Sequence, residues 1–237
     1  MKIGKSDWSD SNFKLKGIWN SIMGKKIIFN QLEIFLLPQR GVFIPAYGML
    51  IISDFHIGKL GHFRKEGVFV PPMQLDSEFN RLEFLIRETS ANSVVFLGDL
   101  FHSSWNKEWD IFIEFMSRYT HIKFILTKGN HDIIDPKYLE NSPLLVKPYL
   151  LLDEGVVLSH EPIPHLGHYL YNIVGHLHPG YQLQAKGRQR YKLPCFVLEN
   201  KVLTVPAFGK WTGLFLVEQK PHNQIFVIIN DSIIAIK

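Results

Sequence analysis

The chain has 237 residues, of which 46% are hydrophobic and 13% aromatic, with a formal net charge of +4 and a single cysteine, Cys195. This composition excludes disorder, coiled coils and collagen, and the length suits one α/β domain better than two. No apolar run approaches the ~18 residues of a membrane-spanning helix. The first ten residues lack the apolar core of a secretory signal, and one cysteine excludes an intrachain disulfide. We therefore expect a cytoplasmic protein without a membrane partner.

The chain starts with a polar, uneven segment. Residues 1–24 interrupt scattered apolar residues with Ser, Asp, Lys and Gly, which predicts a loosely ordered N-terminal extension. We expect a single domain over residues 25–237, since no linker or repeat interrupts that range. Its first predicted element is a hairpin, in which Ile27–Phe29 and Ile34–Leu37 flank Asn30 and Gln31.

Three apolar strand candidates follow, and each ends abruptly at polar residues. They are Met49–Ile52, Val94–Leu97 and Phe124–Leu126. Two segments with helical spacing, Gln74–Glu88 and Lys107–Tyr119, separate them. Strands that alternate with helices pair in parallel through right-handed crossovers, and ligands collect at the carboxyl ends of such strands. The sequence therefore predicts an α/β fold with its functional residues at one sheet edge.

The second half of the chain has a different pattern. After residue 145 the helical spacing fades and short strand candidates follow one another. They are Gly155–Leu158, Tyr171–Val174, Cys195–Leu198, Val202–Val205, Leu214–Val217, Ile225–Ile229 and Ile233–Ile236. We expect them to form a second, largely antiparallel sheet that packs on the first.

Five polar clusters, each directly after an apolar run, contain the same side-chain types. They are Asp54-x-His56, Gly98-Asp99, Gly129-Asn130-His131-Asp132, Ser159-His160 and Gly175-His176-Leu177-His178. Each alone is weak evidence, because short motifs match by chance. Together, carboxylates, imidazoles and an amide without cysteine suit Mn²⁺, Fe²⁺, Zn²⁺ or Ni²⁺. The number of such side chains exceeds the needs of one ion but fits two ions that share a carboxylate, an arrangement that serves phosphoryl chemistry. The glycines allow the tight turns that deliver the ligands.

In this order, the five clusters resemble the motifs of the calcineurin-like metallophosphoesterase superfamily, with every ligand position filled between Asp54 and His178. The resemblance implies a four-layer α/β/β/α sandwich of two mixed sheets, with a dimetal site on one edge. It implies two divalent metal ions, with Mn²⁺ preferred over Fe²⁺, Zn²⁺ or Ni²⁺.

The resemblance also assigns a role to each polar side chain. The implied metal ligands are Asp54, His56 and His178 for the first ion, Asn130, His160 and His176 for the second, and Asp99 as the bridge. His131 is not an expected ligand. It would contact the scissile phosphate and protonate the leaving oxygen, a general-acid role.

Other motifs distinguish among the subfamilies of this superfamily. The absence of Asp-Arg-Gly after Gly98-Asp99 argues against the Ser/Thr protein phosphatases, as does Asp132 where those enzymes usually have Glu. Asp54–Gly58 and Gly98–His102 instead resemble the nuclease subunit of double-strand-break repair complexes. There the extra histidine, here His102, lies beside the phosphate or the adjoining nucleotide.

Longer blocks are similar to bacterial ligase-associated DNA-damage-response endonucleases and their archaeal phosphoesterase relatives. These blocks are Lys59–Pro71, Gly175–Pro179, Arg190–Val197 and Leu203–Gly209, and the likeness runs from Lys25 to the C-terminus. It implies DNA as the substrate, a function in DNA repair, and a repair ligase or helicase as candidate partner.

Basic residues give separate but ambiguous support for a DNA substrate. Lys186, Arg188, Arg190 and Lys192 alternate with other residues, so a strand or hairpin would place cations on one face. They would contact DNA phosphates without reading sequence, or they form a solvated surface, the commoner case. Arg64 either contacts a substrate phosphate or pairs with a nearby glutamate such as Glu66 or Glu78.

Three functions remain open from the sequence. The first is a dimetal phosphodiesterase, an endonuclease of DNA repair. The second is a small-molecule phosphodiesterase or nucleotide phosphatase with the same metal site. The third is a metal-free binding scaffold like one retromer subunit of this fold, although that relative lacks several ligands and this chain has all seven.

Overall fold

The structure is a computed structural model of the chain, and it describes residues 2–4, 24–59, 67, 73–101, 107–132, 135, 138–139, 142–184 and 186–236. The first described element is a two-residue strand, β1 (Lys2–Ile3). Sixteen further strands and two α-helices follow among these residues, and the strands form two sheets.

The first sheet contains seven strands within the described part of the chain, and neighbouring strands in the sheet are consecutive in the sequence. They are β2 (Lys25–Phe29), β3 (Leu32–Leu37), β4 (Gly41–Ile44), β5 (Met49–Ile52), β6 (Ser93–Phe96), β7 (Lys123–Thr127) and β8 (Leu144–Lys147). Pairing is antiparallel from β2 to β5 and parallel from β5 to β8. The parallel half therefore delivers the ends of β5, β6 and β7 to one edge.

The predicted hairpin is confirmed. Asn30 and Gln31 connect β2 to β3 with φ angles of +47° and +68°. Two positive φ angles characterise the two-residue turn whose twist matches that of the flanking strands. Ile34 of β3 is buried, whereas Ile28 of β2 is exposed, as expected for a strand pair at the edge of the sheet.

Two helices pack on one face of this sheet. They are α1 (Met73–Thr89) and α2 (Lys107–Ser117). α1 extends one residue beyond the predicted segment at each end. α2 ends before Tyr119, whose N–H donates to the carbonyl of Met116 at 3.0 Å in a tighter turn. Among the described helices, none has the length and apolar character needed to cross a bilayer.

The second sheet contains β1 and nine later strands of the described chain. These are β9 (Leu150–Leu152), β10 (Val156–Leu158), β11 (Tyr171–Val174), β12 (Pro179–Gln184), β13 (Arg190–Glu199), β14 (Val202–Thr204), β15 (Phe215–Leu216), β16 (Asn223–Ile229) and β17 (Ser232–Ala235). Five strand pairs are antiparallel and four are parallel. The sheet is therefore mixed rather than largely antiparallel.

Parallel pairing of β11 with both β10 and β14 accounts for this difference. The ends of β10 and β11 consequently lie at the same edge. The clusters that follow these strands, Ser159-His160 and Gly175–His178, are brought side by side by that pairing.

The two sheets face each other across an apolar core. Ile51, Val95 and Ile125 of the first sheet pack there against Leu158 and Ile173 of the second. The helices form a third layer on the far side of the first sheet. This two-sheet α/β architecture confirms the predicted fold class. Of the four layers that the resemblance implied, the described residues supply three, because both helices pack on the first sheet and the outer face of the second has only a small apolar cluster around Cys195.

Part of the predicted N-terminal extension lies in the second sheet. β1 pairs in parallel with β9, and Ile3 is buried in the inter-sheet core. Residues 5–23 lie outside the described residues, so the division at residue 24 stays a prediction.

Candidate metal centre

The predicted ligands lie at the edge where parallel strands of both sheets end. The loops after β5 and β6 are joined by backbone hydrogen bonds: the N–H of Asp54 donates to the carbonyl of Gly98 at 3.3 Å, and that of His56 to the carbonyl of Asp99 at 3.0 Å. The loop after β14 bonds to the same place, since the N–H of Gly209 donates to the carbonyl of Asp54 at 3.1 Å. Two other loops thus hold the ligand segment that follows β5.

Asp54, His56 and His178 form the first group, with ligand atoms within 4.8 Å of one another. His178 Nε2 lies 3.1 Å from Asp54 Oδ1 and 3.3 Å from His56 Nε2. The other carboxylate oxygen of Asp54 accepts the N–H of His176 at 2.9 Å and the hydroxyl of Ser53. The carboxylate is therefore aimed at the histidines by fixed donors.

These donors explain the electrostatics of Asp54. Burial by itself would raise its pKa, because a charged carboxylate loses hydration. The hydrogen bond and charge of His178 and the hydroxyl of Ser53 outweigh burial and lower the pKa below its ordinary value. Asp54 is therefore a fully buried anion, as is suitable for a side chain that binds a metal cation.

Asp99, His160 and His176 form the second group within the same 4.8 Å limit. His160 Nε2 lies 3.5 Å from Asp99 Oδ1 and 3.1 Å from His176 Nδ1. On its other side, His160 Nδ1 lies 2.8 Å from the carbonyl of Leu97. A backbone acceptor at Nδ1 leaves Nε2 as the ligand atom, the usual way in which proteins orient a metal-binding histidine.

The nitrogen separations fit metal coordination. Metal–nitrogen bonds of ~2.0–2.1 Å place neighbouring nitrogen ligands about 3.0–3.4 Å apart around one ion. The observed separations are 3.3 Å in the first group and 3.1 Å in the second. Imidazole and carboxylate ligands also suit first-row divalent ions. The residues present therefore fit two divalent ions, one in each group.

Backbone conformation marks the same positions. Five of the seven predicted ligands have a positive φ: Asp54 at +51°, His56 at +53°, Asp99 at +46°, His176 at +68° and His178 at +50°. Each such residue costs on the order of 1 kcal/mol and persists where the surroundings enforce it, typically at functional sites.

Asn130 and His131 lie at the exposed side of the second group. Asn130 Nδ2 donates to Glu161 Oε1 at 2.6 Å, and the same oxygen lies 3.7 Å from His176 Nδ1. His131 donates its backbone N–H to Asp99 Oδ1 at 2.8 Å, while its Nε2 is 4.0 Å from Asp99 Oδ2. His131 is in neither ligand group of the described residues, and its side chain is 54% exposed.

Close packing around the loops requires all three predicted glycines, since a Cβ on Gly175 would clash with the side chain of Ser53. A Cβ on Gly129 would clash with the carboxylate of Asp99, and one on Gly98 would clash with the ring of His160. Gly98 also has a φ of +70°, which glycine adopts at no steric cost.

Asp132, the last residue of the third cluster, supports the loop. Its carboxylate accepts the N–H of Gly129 at 2.8 Å and that of Phe101 at 3.1 Å. Burial raises the pKa of this carboxyl in spite of both bonds. Asp132 therefore ties together the loops that follow β6 and β7.

A charged cluster missed by the sequence analysis holds the segment Ala207–Lys210 against Asp54. We name it the loop clamp; it consists of Arg40, Glu78 and Arg81. Arg40 donates to the carbonyls of residues 207 and 209 at 3.2 Å, and Glu78 accepts the N–H of residue 210 at 2.6 Å. Arg81 donates to the carbonyl of Phe208 and its guanidinium lies 4.0 Å from that ring's centroid.

Glu78 is buried and the two arginines are half-buried, and this loss of hydration shifts their pKa values. Burial lowers the pKa of Arg81 to about 10, with a further contribution from the nearby charge of Arg40. Burial raises the pKa of Glu78. The sequence contains one signal for this arrangement, the family-like block Leu203–Gly209. The clamp residues come from two other places in the chain, the turn before β4 and helix α1, both distant from that block.

The remaining predicted site residues lie either far from the two ligand groups or outside the residues that the structure describes. Arg64 and His102 lie outside the described residues. Arg188 and Arg190 are exposed at the far end of the β12–β13 hairpin, where Arg190 pairs with Gln184. At ~3.3 Å per residue, the six residues of β12 place that end about 20 Å from His178. These arginines therefore do not reach the metal ligands.

The chain is similar to several known proteins. The calcineurin-like phosphoesterase family model matches residues 49–194. No curated protein matches. Among solved structures, the Pseudomonas putida nuclease MPE superposes with a TM-score of 0.71 at 23% identity, covering 90% of this chain and 100% of its own. The Escherichia coli phosphoesterase YfcE gives a TM-score of 0.43 at 17% identity, covering 79% of this chain and 97% of its own.

The family match spans more than half of the chain and includes all five clusters. The chain therefore belongs to the calcineurin-like phosphoesterases, a family of phosphoric ester hydrolases that use a dimetal site.

Proposed function

We propose that this protein is a DNA endonuclease of DNA repair that hydrolyses phosphodiester bonds with two Mn²⁺ ions. The observation that carries the hydrolytic part is the pair of ligand groups at one sheet edge, with an exposed histidine beside Asp99. In the proposed assignment, Asp54, His56 and His178 hold one ion and His160 and His176 the other.

The protein's own residues complete the proposed chemistry. Divalent ions at such a site polarise the phosphoryl group and supply an activated water. Asp99 orients His131, because its Oδ1 accepts the backbone N–H of that histidine at 2.8 Å. The exposed imidazole of His131 then protonates the leaving oxygen of the broken ester bond. Glu161 accepts from Nδ2 of Asn130, which leaves Oδ1 of that amide as its metal-ligand atom.

Two observations support a polynucleotide substrate. The first is the fold likeness to the P. putida protein, which is a nuclease. The second is the β12–β13 hairpin, which begins directly after His178. Arg190 and Lys192 pair with Gln184 and Gln182, so they point to one face of the hairpin. Duplex DNA has a phosphate every ~3.4 Å along each strand, so a reach of about 20 Å corresponds to about six phosphates. A small diester cannot span that distance.

Cleavage of closed circles tests the proposed function. We expect the purified protein with Mn²⁺ to linearise circular single-stranded DNA and to hydrolyse a chromogenic diester, with both activities lost on chelation. Circles that stay intact while linear DNA is shortened would indicate an exonuclease. Turnover of the chromogenic diester with no cleavage of any DNA would instead support the small-molecule phosphodiesterase.

Salt dependence tests the hairpin. An Arg188→Ala/Arg190→Ala double variant should keep wild-type turnover of the chromogenic diester but bind DNA more weakly. Loss of two phosphate contacts should lower the slope of log affinity against log salt by about 1.4–1.8. The matched control is Arg87→Ala/Arg118→Ala, which removes two exposed arginines from the helical layer. An equal slope in both double variants would contradict DNA contact by the hairpin.

A further inference from the structure

A cleft opens on the outer face of the second sheet, next to the metal ligands. Its volume is about 510 Å³, within the range of small-molecule sites. Pro162 and Leu177 lie at one end, Phe215 and Leu216 of β15 form one wall, and Val197 of β13 lies in the floor. Three of these apolar side chains are exposed: Leu177 at 38%, Phe215 at 58% and Leu216 at 38%.

The cleft is continuous with the metal centre along the backbone. Leu177 lies between the ligands His176 and His178, and Pro162 directly follows Glu161. Consecutive Cα atoms are ~3.8 Å apart, so this end of the cleft begins one residue from the ligands. Phe215 is attached to the same loop, since its N–H donates to the carbonyl of His178 at 3.0 Å.

The wall that contains Phe215 is held in place on both sides. The N–H of Val217 donates to the carbonyl of Gly180 at 2.8 Å. At the far end, the side chain of Asn223 accepts the N–H of Lys220 and donates to the carbonyl of Glu218, both at 3.0 Å. An exposed phenylalanine on a fixed wall offers a flat apolar surface at little cost in conformational entropy.

The chemistry of the lining selects among ligands. The apolar end and wall face polar groups of Glu199, Asn200 and Thr204. A ligand that fits has flat apolar faces and hydrogen-bonding edges, which describes a nucleobase. The charges of the lining disfavour an anion, because two carboxylates, Glu199 and Glu218, line the cleft against one cation, Lys220. We infer that this cleft binds the unstacked base of a nucleotide that flanks the scissile phosphate, with Phe215 as its stacking surface; this inference rests on the proposed function.

Matched dinucleotides test the inference. The substrates are a dithymidine monophosphate and two analogues, each with one base replaced by hydrogen. For the wild type, removal of the base that occupies the cleft should raise KM about 5- to 150-fold, the effect of losing one base–aromatic stack, and removal of the other base should change KM little. Phe215→Ala should show the raised KM on the intact dinucleotide and no further increase on the analogue.

The control variant is Tyr149→Ala, which removes a similarly exposed aromatic outside the cleft. It should behave as the wild type. Equal KM values for the wild type and Phe215→Ala on the intact dinucleotide would overturn the inference. So would an increase of the same size on intact and base-less substrates, because that result places the effect of Phe215 on the phosphate.

Binding without catalysis separates this inference from the proposed function. A dinucleotide containing 2-aminopurine, added to metal-free protein, should lose fluorescence on binding the wild type and Tyr149→Ala but not Phe215→Ala. That pattern supports the cleft even if the protein cleaves no DNA. Absence of quenching by the wild type would overturn the inference even if DNA is cleaved.

Discussion

The two ligand groups differ in how far the protein encloses them. In the first group, Asp54 and His56 are buried and the His178 side chain is 20% exposed. In the second group, Asp99 and His160 are equally buried, but the His176 side chain is 45% exposed. The two groups thus share ligand types but not solvent access.

The first group is also held by more hydrogen bonds from the rest of the protein than the exposed part of the second group. Asp54 receives hydrogen bonds from Ser53 and His176, and its backbone is bonded to two other loops. The exposed part of the second group rests on one surface carboxylate, Glu161, which contacts Asn130 and His176. Preorganised ligands bind metal more tightly than ligands that must be ordered on binding. We therefore expect the first group to bind its metal ion more tightly and the second group to be the side that meets substrate.

His131 belongs to the open side, and its substitution gives the largest expected effect. His131→Ala should retain both metal ions yet lose ~10²–10⁴-fold in the rate of DNA cleavage, the range of general acid–base catalysis. A nitrophenyl diester should lose less, because its leaving group needs little protonation. Turnover of both substrates, with metal content measured on the same samples, checks this. Equal losses on the two substrates would leave only phosphate positioning to His131, and loss of metal would make it a ligand.

Asp99 belongs to the second group and is the predicted bridge to the first, so its substitution should affect both. Asp99→Asn removes the charge and basicity of the predicted bridge, and we expect dimetal occupancy to collapse with at least ~10²-fold loss of activity. Metal content by mass spectrometry and turnover on a chromogenic diester measure the two effects. A variant with two metals per chain and near-normal turnover would show that Asp99 is not the bridge.

Staged metal removal tests the comparison directly. During titration with a chelator, one ion should leave well before the other. His176→Ala should lower the affinity of only the weaker site, by about 10–100-fold, whereas His178→Ala should lower that of the tighter site. Isothermal titration of metal-free protein with Mn²⁺ measures both affinities. Two sites of equal affinity in the wild type, or the reverse assignment of the two variants, would contradict the difference in enclosure.

The sequence predicted those features of the fold that depend only on the residues of one short segment. The Asn30-Gln31 turn needs only local φ preferences, and strand ends such as Ile52 before Asp54 follow from apolar runs that stop abruptly. The grouping of the predicted ligands could be anticipated because parallel strands bring their ends to one edge, so that short motifs become spatial neighbours.

The parts that could not be predicted depend on contacts between distant segments. The pairing of β11 with β14 joins Asn172 to Val202, and no local pattern distinguishes that partner from an antiparallel one. The clamp contact between Arg81 and Phe208 joins residues 127 positions apart. Glu161 follows a predicted ligand, but its contact with Asn130 arises only when the loops after β7 and β10 meet.

The loop clamp gives the smallest expected effect, because it acts on the enclosed group only through the backbone. Arg81 bonds to the carbonyl of Phe208, and the N–H of Phe208 bonds to the carbonyl of Ser53 at 2.7 Å. Arg81→Met keeps the apolar stem but removes a charge-assisted hydrogen bond, which should lower the free energy of unfolding by about 2 kcal/mol. Since Asp54 has a φ of +51° that its neighbours enforce, we also expect up to ~10-fold weaker binding at the tighter metal site.

The matched control for the clamp is Arg87→Met on the same helix. Arg87 is exposed and pairs with Glu88 at 3.1 Å on the surface, so its loss should cost less than ~1 kcal/mol and leave metal affinity unchanged. Arg81→Lys, which restores a donor, should recover part of the metal affinity. Denaturant unfolding of the metal-free proteins and titration with Mn²⁺ give the two quantities. If Arg81→Met loses stability but binds Mn²⁺ at the tighter site as the wild type does, the clamp stabilises the fold without positioning Asp54, and the enclosure of the first group alone accounts for its affinity.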